Sequence, residues 1–144
     1  MPTRTARTAW NGTLQEGSGQ VELSSSKVGT FDVSFPKRAA DEAGGTTSPE
    51  ELIAAAHSTC FAMQLSAVIA EAGGTPQSLE VTAEVGLGPD TEGFKLTGIK
   101  LTVRGEVDGL DADGFATAAQ NAKDSCPVSK ALTGVAITLD AALA

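Results

Sequence analysis

The run from Leu52 to Ala70 holds 19 consecutive residues with no formal charge, and it sits inside a complete set of helix signals. Ser48 is placed to cap the helix, Pro49 suits the first helical position, and Glu51 stands where a capping box needs an acidic partner. Gly73-Gly74 should stop the helix after about Ala72. At that length the segment is a transmembrane candidate. Its polar residues His57, Ser58, Thr59, Gln64 and Ser66 and its six alanines make insertion into lipid unfavourable, so a buried central helix is expected instead. A helix apolar on nearly every face has to be covered all round. One chain of 144 residues can hardly do that alone, and a homodimer packing this helix against its copy is the economical solution.

Strand signals surround the helix. Residues 4 to 10 can form a strand, and 20 to 26 and 29 to 35 alternate apolar and polar residues around Lys27-Val28-Gly29 as a hairpin would. Further strands are expected at 79 to 87 and 94 to 107, joined through GPDTEG, and at 135 to 143. Residues 36 to 47, rich in Gly, Ala and charge, read as an exposed loop. A second helix is expected over about 111 to 124, with Phe115, Ala118, Ala119 and Ala122 on one face, and Cys126-Pro127 should end it and start a short helix through VSKALT. No long linker or repeat divides the chain, so residues 1–144 are expected to form a single α+β domain.

Charge narrows the function. A net charge of −8 and an aromatic content of 4% with no tyrosine disfavour nucleic acid and anionic membrane surfaces as partners. The N-terminal stretch MPTRTARTAWNG lacks the apolar run of a secretory signal, and a cytoplasmic location is expected. In a reducing compartment two cysteines are more readily a transient, catalytic or sensing pair than a structural staple. They are Cys60 and Cys126. Cys60 shares a helical stripe with Ile53, Ala56, His57, Met63, Gln64 and Ala67, where a free cysteine is usually just a small core residue, and its helix offers no cation nearby. Cys126 precedes Pro127 at a helix start, where free amides favour a thiolate, so local physics ranks it as the better nucleophile, with a plain capping role as the alternative. Sixty-six residues separate them, too many for a CxxC motif. With a single histidine, a structural zinc site would need a carboxylate as fourth ligand, and no metal is expected.

The stretches SPEELIAAAHSTCFAMQLS (48 to 66) and KDSCPVSKAL (123 to 132) resemble the osmotically inducible protein C (OsmC) branch of the OsmC and organic hydroperoxide resistance family, and the order of elements fits along nearly the whole chain. The resemblance implies antiparallel sheets packed on the long central helix of an intertwined homodimer, with active sites at the interface. It also implies a thiol peroxidase that acts on organic hydroperoxides and, less efficiently, on hydrogen peroxide. By position Cys60 corresponds to the peroxidatic cysteine, Cys126 to the resolving one, Glu50 to the family's glutamate and Arg38 to its arginine, with Arg4, Arg7 and Arg104 as alternatives. That assignment reverses the ranking from local electrostatics. It further implies a Cys60–Cys126 disulfide reopened by an external dithiol, of a dihydrolipoyl type, with no bound cofactor. His57, one turn before Cys60, is expected to be a packed, hydrogen-bonded histidine, with a base as the alternative. A redox sensor or small-ligand carrier using the same cysteines is the competing class of function.

Overall fold

The computed structural model describes all 144 residues, which fall into two compact units, Met1–Pro49 and Glu50–Ala144. The first unit is an antiparallel three-stranded meander of β1 (Arg7–Asn11), β2 (Ser18–Glu22) and β3 (Thr30–Val33). Thr8 faces Val21 across one ladder, and Val21 faces Phe31 across the next. The expected hairpin is present with shorter strands and a longer turn. Leu23 N–H bonds to Gly29 O and Lys27 N–H to Leu23 O, and Lys27 takes a left-handed φ of 59° to close the loop. Within the unit Val21 alone is fully buried and β1 is exposed throughout. A three-stranded sheet with so little covered surface is not stable by itself.

The segment read as loop from residue 36 contains a one-turn helix, α1 (Phe35–Arg38). Ser34 caps it by accepting from Lys37 N–H, and Pro36 has the φ that a first turn requires, so local chemistry builds the turn despite the polar composition. After it, Thr47 bridges to Val33.

In the second unit α2 spans Pro49–Glu71 without a break. It ends where expected: Gly73 adopts φ +90°, Gly73 N–H bonds to Ala70 O, and Gly74 N–H bonds to Ile69 O, the paired bonds of a Schellman stop. β4 (Thr75–Pro89) and β5 (Phe94–Asp108) form a long antiparallel hairpin. α3 (Ala112–Ser125) follows, capped by Asp111, whose carboxylate accepts from Gly114 N–H. The short α4 (Pro127–Ala131) and then β6 (Ile137–Leu143) complete the chain. β6 runs parallel to β5, a departure from all-antiparallel pairing. α3 and α4 form the crossover that a parallel neighbour requires.

β5 is the central strand of this sheet, and Ile99, Leu101 and Val103 project from one of its faces into the core. There they meet Phe115, Ala118, Ala119 and Ala122 of α3 and Phe61, Leu65 and Ile69 of α2. Gly105 continues the same face, and a Cβ at that position would fall 3.0 Å from the Phe115 ring and 2.9 Å from Leu79, so its missing side chain makes room for the ring. The buried positions of α2 after its first turn are His57, Phe61, Leu65 and Ile69, one every fourth residue and so a single narrow stripe. Ala55, Ala56, Ala67 and Ala70 are exposed, and Met63 is 68% exposed. By length and composition α2 could cross a membrane, but its buried stripe is part of the core of this unit.

Candidate active site

Cys126 lies between two helices, as the C-cap of α3 and the N-cap of α4. A residue before proline is pushed out of the helical region, and Cys126 has the extended angles φ −60° and ψ 124°. Its backbone is held on both sides, with N–H bonded to Ala122 O at 2.8 Å and C=O accepting from Lys130 N–H at 3.0 Å. The side chain is fully buried. Cys60, in the middle of α2, is partly buried. The two sulfurs, 66 residues apart in sequence, lie 3.2 Å apart as free thiols.

Two polar pairs flank the sulfurs. One turn before Cys60, His57 Nε2 lies 2.7 Å from Ser129 Oγ, and both residues are buried. One turn after Cys60, Gln64 Nε2 donates to Ser125 Oγ at 2.9 Å, while the Ser125 hydroxyl donates to Asn121 O. Passing along α2 from 57 through 60 to 64, the partners run backwards from 129 through 126 to 125. α2 is thereby tied on both sides of Cys60 to the junction that carries Cys126. The sequence placed His57 and Gln64 on the Cys60 face and expected a hydrogen-bonded histidine. It contained no sign of the serine partners, because helical period identifies a face and not what lies opposite.

The sulfurs differ in acidity. Burial pushes the Cys60 thiol above its ordinary range, and the neighbouring Cys126 adds to the rise; the Val128 amide acts the other way. Burial works against ionisation of Cys126 too, but hydrogen bonding from the Ser129 amide, the Cys60 thiol, the Ser129 hydroxyl and the Val128 amide outweighs it, and its pKa is lowered. The amides face the sulfur without closing a regular cap hydrogen bond; their dipoles nevertheless favour charge there. Cys126 is therefore the more acidic of the two thiols. This is the order that local electrostatics suggested. Burial also lowers the pKa of His57, and its Nδ1 has no hydrogen-bond partner.

Glu50 is buried in the first turn of α2. Because α2 is continuous, ten residues place Glu50 ~15 Å from Cys60 along the axis. Arg38 closes α1 in the first unit and is partly buried. Among the alternatives, Arg4 and Arg7 are exposed, whereas the Arg104 fork is held by both carboxylate oxygens of Asp140 at 3.2 and 3.3 Å.

The site thus holds two free thiols at contact distance on an α+β scaffold, one partly exposed and one buried and acidified. Residues 41–140 match the family described as OsmC-like protein. The chain is 43% identical over 131 residues to peroxiredoxin OsmC of Escherichia coli (strain K12), covering 91% of this chain and 90% of that one. It is 36% identical over 124 residues to the organic hydroperoxide resistance protein OhrA of Bacillus subtilis (strain 168), covering 83% and 85%. The crystal structure of OhrB of Bacillus subtilis aligns with a TM-score of 0.75 at 30% identity, over 95% of this chain and 97% of that one. The chain belongs to the OsmC-like family.

Proposed function

We propose that this protein is a thiol peroxidase that reduces organic hydroperoxides to alcohols, and hydrogen peroxide less efficiently. The observation that carries the reading is the 3.2 Å separation of the Cys60 and Cys126 sulfurs in the reduced chain. The names borne by its relatives, peroxiredoxin and organic hydroperoxide resistance protein, support it. Access decides which sulfur meets peroxide: Cys60 retains exposure, and Cys126 has none.

The Cys60 thiolate attacks the distal peroxide oxygen, the O–O bond breaks, and the alkoxide leaves to be protonated to alcohol. Cys60 becomes a sulfenic acid. Cys126 attacks it, expelling hydroxide and forming the Cys60–Cys126 disulfide, which protects Cys60 from further oxidation. An external dithiol of dihydrolipoyl type reopens the disulfide by exchange. The reaction calls for no bound cofactor or metal. Because burial and Cys126 both work against a Cys60 thiolate, a cation has to be supplied, and Arg38 is assigned that role with Glu50 fixing its planar fork through paired hydrogen bonds.

The working form is an intertwined cytoplasmic homodimer. Two features support the dimer: α2 leaves most of its apolar circumference uncovered, and the β1–β3 sheet buries little of its surface. Two copies of α2 crossing antiparallel near Ala55 would also bring Glu50 of each chain beside Cys60 of the other, since residue 55 lies midway. The deciding experiment is turnover of cumene hydroperoxide with a lipoyl donor and catalytic dihydrolipoamide reductase. Sustained turnover that is lost in Cys60→Ser supports the reading. Consumption of one equivalent and no more makes the protein a sensor instead.

A further inference from the structure

The polar groups around Cys126 have a direction. His57 is fully buried and touches a polar partner only through Nε2, on Ser129 Oγ, while its Nδ1 faces no partner. A buried lone pair left without a donor is tolerated better than a buried N–H left without an acceptor. The proton therefore sits on Nε2 and is donated to Ser129, and burial keeps the ring neutral, preserving that tautomer. A serine hydroxyl has one proton, and accepting from His57 leaves that proton free to donate elsewhere. Ser129 stands at the third position of α4, one turn after the Cys126 cap, and its hydroxyl is among the groups that favour charge on the Cys126 sulfur.

We propose that His57 and Ser129 are positioning residues for Cys126: a directed chain from His57 Nε2–H through the Ser129 hydroxyl to Cys126 Sγ presents that sulfur as a thiolate to oxidised Cys60, and receives it as a thiolate when the disulfide is reopened. This rests on the peroxidase reading above. In closure the Cys126 thiolate forms the S–S bond as the S–O bond of the Cys60 sulfenic acid breaks; hydroxide departs and takes a solvent proton to become water. In reopening, one thiolate of the external dithiol attacks the accessible Cys60 sulfur. The S–S bond breaks and Cys126 leaves with the electron pair. The second thiol of the reductant then displaces Cys60 and closes the reductant's own disulfide. The lower-pKa sulfur leaves faster, so stabilising Cys126 serves both halves of the cycle. The titratable groups nearest Cys126 are Cys60 on α2, Lys123 and Asp124 on α3 and Lys130 on α4; Glu50, Glu51 and Glu71 of α2 and Asp113 of α3 lie more than two helical turns from Cys60 or Cys126 along their own helices, and the test leaves all of these charged groups untouched.

The test uses the full chain carrying Cys60→Ser, in which Cys126 is the sole thiol and its ionisation is followed by thiolate ultraviolet absorbance against pH. Adding Ser129→Ala should raise the midpoint by about one pH unit, the effect of losing one hydrogen bond to a charged group. Ser129→Thr, which keeps the hydroxyl, should restore it. His57→Leu should raise the midpoint and His57→Gln, which keeps a donor, should raise it less; should His57→Leu fail to fold, the serine pair carries the result. In the two-cysteine chain, conversion of dimedone-trappable sulfenic acid to disulfide should slow roughly tenfold in Ser129→Ala. An unchanged midpoint in folded Ser129→Ala, or equal shifts in Ser129→Ala and Ser129→Thr, overturns the proposal. The titration uses no peroxide, so a wild-type protein inert to hydroperoxide would sink the peroxidase reading and leave this result readable.

Discussion

One equivalent of organic hydroperoxide should make the chain measurably more stable. The sulfurs stand 3.2 Å apart and have to close to about 2.05 Å, so little backbone movement is required to join them. The bond would tie positions 66 residues apart, and the loop-closure entropy removed from the unfolded chain amounts to about 4 kcal/mol at 25 °C. For a chain of this size that raises the thermal midpoint by roughly 10 °C. The assay compares reduced and peroxide-treated protein at equal concentration by circular dichroism melting, with intact mass under non-reducing conditions to verify the loss of two hydrogens in the monomer. A mass showing the bond with no rise in midpoint would mean that closing it strains the fold by as much as the loop gains, and the contact read here as poised would not be so. A covalent dimer as product would refute the intrachain pairing altogether.

Arg38→Ala should raise the Cys60 pKa and slow its alkylation near neutral pH; an unchanged profile, with a shifted one for Arg4→Ala or Arg104→Ala, would move the cation elsewhere. Mixing inactive Glu50→Ala and Cys60→Ser chains and allowing exchange should recover part of the activity, because ~15 Å of helix separates the two residues within one chain; no recovery despite proven exchange would place the pair in one chain. His57 should contribute a pH dependence of stability. Burial lowers its folded pKa, so its contribution is fully present above the unfolded value of about 6.5 and is lost as pH falls below it. Urea midpoints between neutral and mildly acid pH should therefore fall less steeply in His57→Gln than in wild type, and parallel curves would refute the assignment.

What the sequence determined is local. Ser48-Pro49-Glu50-Glu51 and Gly73-Gly74 marked both ends of α2, because caps and stops act over four or five residues. Turn-rich punctuation such as GPDTEG set off the segments that form β4, β5 and β6, and Cys126-Pro127 marked the junction of α3 and α4, where proline alone forbids a continuous helix. The two cysteine motifs marked the family. α1 escaped notice because one capped turn is too short to show a period.

What tertiary structure decided is which groups meet. Ser129 lies 72 residues from His57, and Ser125 lies 61 from Gln64, distances over which a sequence has no register. Their pairing follows from how α3 and α4 pack over β5 and carry the chain to a parallel β6. The same packing brings Cys60 and Cys126 together and sets their acidities in opposite directions, since desolvation and hydrogen bonding are properties of surroundings that only the folded chain creates.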